Sequence, residues 1–231
     1  MLAAIFKASY NNSMENHVIG GVLGTAFFIN NKTALTANHL INGDSFKPND
    51  GFLFCRFWLL LENGQIVEIK KDYLESFPGV DVTKIYFSSD VYEGELNYKK
   101  SIANIDNKFI LKGFLASVPS NPSLEVSMGW DENGEIFVDQ FNLNSVISEQ
   151  QGIIESINIC DLTTNDIRFN NIKCLKLSCG GNSGLSGSPL MNDNGEIFGV
   201  MSFGLPEDTI KKDSLFAVSI DEIEKNSNIK I

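Results

Sequence analysis

Histidine is scarce in the 231-residue chain, which has two, His17 and His39. The four cysteines, Cys55, Cys160, Cys174 and Cys179, form no CxxC pair. The ligand spacing of a zinc site is therefore missing, and neither a metal nor another cofactor is expected. A chain of this length needs no disulfides to stay folded, so a reducing, cytoplasmic setting is expected. No apolar run approaches the ~20 residues that cross a bilayer as a helix, and no membrane partner is expected. The opening run from Met1 to Phe6 is apolar, but no basic segment precedes it and Lys7, Ser9, Tyr10 and Asn11 close it early. It reads as a first strand and not as a targeting leader. Basic residues are also outnumbered: 18 Lys+Arg against 29 Asp+Glu give a formal net charge of −11. Lys70-Lys71, Lys99-Lys100 and Lys211-Lys212 are isolated pairs, too little to neutralise a phosphate backbone, which excludes a nucleic-acid partner.

Hydrophobic residues are plentiful by contrast, at 43% with 17 Phe, enough for a sizeable core in one compact unit. They fall in short β-branched and aromatic segments broken by Gly, Asn, Asp and Pro, with little helical period before the end of the chain. Strands are expected over 21–29, 32–36, 54–61, 65–70, 82–87, 109–118, 124–129, 135–141, 172–177, 188–191, 197–203 and 214–218. Asn30-Asn31, Asn63-Gly64, Asn133-Gly134 and Asn194-Gly195 supply turn chemistry between them. Asp221 and Glu222 suit the start of a short closing helix. The segment 118–123, Val-Pro-Ser-Asn-Pro-Ser, is the most linker-like and falls near mid-chain. The expected organisation is two halves, 1–118 and 119–231, together forming one domain.

The densest chemical signal is Gly184-Leu185-Ser186-Gly187-Ser188-Pro189-Leu190. A nucleophilic serine needs an exposed hydroxyl and backbone N–H groups aimed at a developing oxyanion, and flanking glycines allow both. A plain glycine-rich turn is the competing reading. Upstream, Gly24-Thr25-Ala26-Phe27-Phe28-Ile29 and Ala34-Leu35-Thr36-Ala37-Asn38-His39-Leu40 place a histidine just after a strand pair. A general base must sit on a rigid element and still reach the hydroxyl, and a turn leaving a strand meets that need.

Three windows resemble the chymotrypsin-fold (trypsin-like) serine peptidases, in their bacterial intracellular style. Thr36-Ala37-Asn38-His39 resembles the family's Thr-Ala-Ala-His. Gly184-Leu185-Ser186-Gly187-Ser188-Pro189 resembles its Gly-x-Ser-Gly-Gly/Ser-Pro. Gly199-Val200-Met201-Ser202-Phe203-Gly204 resembles its substrate-binding strand. The resemblance implies an all-β fold of two six-stranded antiparallel Greek-key barrels with a short C-terminal helix, His39 and Asp81 on the first and Ser186 on the second. It implies acyl transfer: Ser186 attacks a peptide carbonyl, His39 relays the proton, and Asp81 orients the imidazole. The N–H groups of Gly184 and Ser186 would hold the oxyanion. Ser202, Phe203 and Gly204 would pair with the substrate backbone, and Gly180, Gly181 and Ser214 would line a small uncharged pocket. Gly180 stands where an acid would select Arg or Lys, so a bulky apolar residue before the scissile bond is implied.

For the acid, Asp81 opens a β-rich stretch at a suitable distance from both partners. Asp106 lies too far along, and Asp72 and Asp90 lack the strand context. Ser183, in Gly181-Asn182-Ser183-Gly184, is a rival nucleophile without the following Gly-Ser-Pro-Leu. Cys179 is read as a strand cysteine ahead of a redox or nucleophilic role.

Leu185 replaces the acid that pairs with a freed amine in secreted members, so that switch is absent. Val18-Ile19-Gly20-Gly21 imitates their mature N-terminus but stands too close to His39 to be one. The cysteines of the family disulfides are replaced by Leu40 and Asn182. Restraint by a regulatory partner protein is the corresponding expectation, as would suit a stress or antiviral-defence protease acting on protein or peptide substrates. Two rivals stand beside it: a catalytically inactive member serving as a protein-binding module, fed by Asn38, Lys84 and Leu185, and a β-sandwich interaction protein whose Ser186 and His39 never meet.

Overall fold

The structure is a computed structural model, which describes residues 1–11, 18–92, 94, 96, 98–116, 125–143, 146–164, 167–180, 184–206 and 213–231. The segment 118–123, His17, Gly181, Asn182, Ser183 and Lys211-Lys212 lie outside the described residues. The described elements are fifteen strands and one closing α-helix, with two short 3-10 turns.

The first half holds β1 (Leu2–Tyr10), β2 (Val18–Asn30), β3 (Thr33–Ala37), β4 (Phe54–Leu61), β5 (Ile66–Ile69), β6 (Leu74–Phe77) and β7 (Val82–Tyr86) in a sheet ordered β5-β4-β1-β2-β3-β7-β6. The two edge strands of that order, β5 and β6, are consecutive in the chain, separated by a single 3-10 turn at Lys71–Tyr73. Residues so close in sequence cannot lie a sheet's width apart, so the sheet curls and brings its two edges toward each other. The seven strands thus act as six, with the fifth broken by the turn. Val18–Gly21, the imitation N-terminus, is an interior part of the chain here, paired along β1 from Lys7 to Tyr10.

The second half closes fully: β8 (Lys108–Phe114), β11 (Ile147–Thr163), β12 (Arg168–Gly180), β13 (Pro189–Met191), β14 (Ile197–Pro206) and β15 (Asp213–Ser219) form a barrel in the order β11-β12-β15-β14-β13-β8. β8 precedes residue 118 yet pairs with β11 and β13, so it serves the second barrel. A separate hairpin, β9 (Glu125–Trp130) and β10 (Ile136–Asn142), is tied to the first half by the Arg56 guanidinium. That group bonds the Ile136 carbonyl at 3.1 Å and pairs with Glu135.

Turn chemistry accounts for three hairpins. Gly64, Gly134 and Gly195 each follow an asparagine and adopt φ of 87°, 74° and 75°, values that favour glycine. The closing helix α1 (Ile220–Asn226) is capped by Ser219, whose hydroxyl accepts from the Glu222 N–H, and it buries Ile220 and Ile223. One apolar cluster fills the curled sheet around Phe28, Phe57 and Leu59, and another fills the barrel around Phe109, Leu175 and Leu190. A third joins the halves, bringing Phe27, Val80 and Val82 against Phe203, Phe216 and Val218. Apolar burial at that seam helps to hold the halves in fixed relation.

Two strands escape the sequence pattern. β11 is the longest strand, but its alternation is muted by Glu149, Gln150 and Gln151, and a register shift breaks it after Ile154. β6 carries Leu74-Glu75-Ser76-Phe77, too short for its period to stand out.

Candidate active site

β3 ends at Ala37 and the chain turns at once, so that His39 leaves a rigid strand with its side chain 19% exposed. Asp81 reaches it from β7, the next strand in the sheet. The 3-10 turn Pro78–Val80 delivers Asp81 in the left-handed region at φ 49°. A non-glycine residue there costs about 1 kcal/mol and persists only where its surroundings fix it. They do: the Asp81 carbonyl accepts from the Asn38 N–H at 3.0 Å, and its Oδ1 accepts from the His39 N–H at 2.9 Å. His39 Nδ1–H then donates to Asp81 Oδ2 at 2.8 Å, which leaves Nε2 as the free face of the ring. The Ser202 hydroxyl donates to the same Oδ2. The Asp81 side chain is fully buried, and three donors converge on it.

Ser186 comes from the other half, on the loop before β13. Its carbonyl accepts from the Thr25 N–H at 3.0 Å, which ties the loop to β2. Its hydroxyl donates to the Ser202 carbonyl at 3.1 Å. Ser202 is the extra residue of a bulge in β14, between Met201 and Phe203, and such bulges re-aim backbone groups. Ser202 therefore touches both Asp81 and Ser186. The structure brings His39, Asp81, Ser186 and Ser202 into one hydrogen-bonded set spanning the two halves. Among the described residues, no acceptor engages the N–H groups of Gly184 or Ser186.

The bracketing glycines are required. Gly184 and Gly187 hold φ of 101° and 82°. A Cβ at 184 would strike the Ala116 backbone, and one at 187 would strike the Thr25 carbonyl and the Thr36 hydroxyl. Gly187→Ala is expected to destabilise the fold by about 3 kcal/mol, lowering Tm by roughly 10 °C in calorimetry.

Three departures from the family pattern find structural reasons. Buried Asn38 places its side-chain oxygen 3.1 Å from the Thr83 hydroxyl, which donates to the Ile41 carbonyl at 2.8 Å and so secures the turn carrying His39. Lys84 pairs with Glu75 across β6 and β7 at 2.9 Å, on the opposite side of β7 from the buried Thr83. Leu185 is buried in the barrel core. Of the proposed pocket residues, Gly180 and Ser214 face each other across β12 and β15. The Phe203 side chain is turned inward, stacked on Phe216 at 5.0 Å, so only its backbone faces a substrate strand.

All four cysteines are free thiols, and burial pushes Cys179 up to about 11. At pH 7 only about one such thiol in ten thousand is ionised. Iodoacetamide at neutral pH is expected to leave activity unchanged, and inhibition prevented by Cys179→Ser would contradict this. The contact that sequence reasoning missed is the Ser202 hydroxyl on Asp81. A serine inside the apolar run Gly-Val-Met-Ser-Phe is the signal, because a buried hydroxyl needs a partner.

Two packed β-halves with a Ser-His-Asp set at their seam define the class of chymotrypsin-like peptidases. The trypsin family profile matches residues 6–225, and the chain belongs to that family of serine peptidases. The fold is shared by the Rv3671c protease from M. tuberculosis in its active form (15% identity, TM-score 0.53, covering 96% of this chain and 78% of that one). It is shared too by the MamO protease domain from Magnetospirillum magneticum (13%, 0.58, 99% and 96%) and by the HtrA-type protease AlgW with a decapeptide (13%, 0.61, 95% and 61%). No curated protein matches by sequence. Among the described residues no helix is long and apolar enough to cross a membrane.

Proposed function

We propose that the protein is an endopeptidase that cleaves peptide bonds through an acyl-enzyme, with Ser186 as nucleophile, His39 as general base and acid, and Asp81 as the group that orients His39. The observation that carries this reading is the His39–Asp81 bond at 2.8 Å beside the Ser186 loop, with the Asp81 carboxylate buried and given no freedom to turn. In the first step Ser186 Oγ bonds to the substrate carbonyl carbon and its proton passes to His39 Nε2. That proton then goes to the departing amine, and water repeats the sequence to release the acid. The N–H groups of Gly184 and Ser186 stabilise the charge that develops on the carbonyl oxygen. Gly204 and the Ser202 carbonyl offer a strand edge to the substrate backbone. The uncharged Gly180 favours an apolar residue before the scissile bond. Incubation with a peptide library, read by mass spectrometry, is expected to show new termini with wild type and none with His39→Ala. An identical set of termini from both would overturn the reading.

The Ser186 hydroxyl must leave the Ser202 carbonyl to face His39. That exchange of one hydrogen bond costs on the order of 1 kcal/mol, about a five-fold effect, which is minor beside the rate enhancement of the assembled set. Restraint of the site by a partner protein is supported by Leu185, which sits in the barrel core and leaves no acid to receive a freed amine. The second reading, an inactive binding module, is favoured by the resting position of the Ser186 hydroxyl, which is on the Ser202 carbonyl and not on His39. A folded wild type that never reacts with serine-directed reagents, alone or with its partner, would support that one.

A further inference from the structure

A cavity of about 340 Å³, walled in part by β2, opens next to the residue that follows His39. Leu40, the neighbour of His39, and Leu23, the neighbour of Gly24, form part of its wall. Gly24 packs so closely on this region that a Cβ there would meet Leu40 and stand 2.9 Å from the Ser186 carbonyl. Ser186 is flanked by two strands: its hydroxyl is bonded to β14 and its carbonyl to β2. A substrate lying along Ser202–Gly204 and passing Ser186 therefore leaves toward β2 and this cavity, with the residues that follow the scissile bond. Its size suits one side chain with some solvent.

The chemistry of the lining is selective. Leu23, Leu40 and Phe57 make it largely apolar, Ser45 and Asn49 add polar groups, and Lys7 supplies its charge; no Asp or Glu lines it. In a chain of net charge −11 that is a local reversal of sign. The Lys7 ammonium donates to the Lys47 carbonyl at 2.9 Å and stands 5.6 Å from the Phe57 ring centroid. One of its three donors is thereby used, and among the described residues no carboxylate pairs with it. The Asp44 side chain is 93% exposed and stands 4.0 Å from the Lys47 ammonium.

We propose that this cavity is a leaving-side subsite for an acidic side chain, with Lys7 as the residue that sets the preference. The inference rests on the peptidase reading for its direction along the substrate. It is tested with peptides identical up to the scissile bond and carrying Glu, Gln or Lys at the first three positions beyond it, alongside an aryl amide with no residue there. Wild type is expected to favour Glu over Gln by about five-fold in kcat/KM at one of those positions, less at high salt. Lys7→Gln removes the preference and Lys7→Glu turns it toward Lys, while the aryl amide is cut equally by all three. Cleavage of Glu and Gln peptides at equal rates by wild type, or a Glu preference that survives Lys7→Gln, overturns the proposal and leaves the peptidase reading standing. Where no peptide is cut and Ser186 does not react with a fluorophosphonate, the peptidase reading fails. Fluorescence anisotropy with the Glu peptide then decides the cavity separately: binding weakened by Lys7→Gln supports the acidic subsite, and binding unchanged by it overturns it.

Discussion

Ser186→Ala is expected to lower kcat by about 10⁶ with the fold intact, the loss typical of removing a nucleophile that acts in concert with its base. Among the described residues the Ser186 side chain makes a single hydrogen bond, to the Ser202 carbonyl, so its removal costs one bond at most. Its main-chain bond to Thr25 survives the substitution. Stability is therefore expected to change by less than about 1 kcal/mol, and a normal thermal melt accompanies the lost turnover. His39→Ala gives a loss of similar size, and the double variant is no worse than either, because the two act as one unit. Ser183→Ala, outside the described residues, is expected to retain activity. A chain that loses activity with Ser183→Ala and keeps it with Ser186→Ala would reverse the assignment.

Asp81→Asn is the second large effect, with an expected fall of about 10⁴ in kcat and little change in KM. The carboxylate accepts from the His39 main chain at one oxygen and from Nδ1 and the Ser202 hydroxyl at the other. An asparagine amide must present NH₂ to one of those groups. With its oxygen kept toward the His39 N–H, the NH₂ faces Nδ1, which must then accept, and the ring proton moves to Nε2. The base is left in the wrong tautomer to take the serine proton. Asp81→Ala is expected to be worse for folding, since it strands buried donors and puts an alanine at φ 49°. Steady-state kinetics with thermal melts separates the two: catalysis falls in both, and stability falls mainly in Asp81→Ala.

His39, Asp81 and Ser186 were legible in the sequence because each sits where local chemistry is constrained. A histidine directly after a strand, an acid opening one and a serine between glycines all leave short, readable signals. The glycines earned their reading through φ, since Gly184 and Gly187 have no room for a side chain. What could not be read depends on distant residues. Ser202 reads as a substrate-strand residue, yet its hydroxyl serves Asp81, far away in the chain, through a bulge that no local pattern announces. Lys84 and Asn38 look like defects until Glu75 and Thr83 come alongside. β8 serves the second barrel although it precedes the linker-like segment, because barrel closure is decided by pairing with β11 and β13. Lys7 only closes the first apolar run by sequence, and its cavity arises where β2, β4 and the turn after His39 converge.

The most direct measurement is active-site labelling of the purified protein with a fluorophosphonate, followed by peptide mapping, for wild type, Ser186→Ala, Ser183→Ala and His39→Ala. A single adduct on Ser186 is expected in wild type, retained in Ser183→Ala and lost in both Ser186→Ala and His39→Ala. An adduct that persists at the same rate without His39, or one that maps to Ser183, would contradict this assignment.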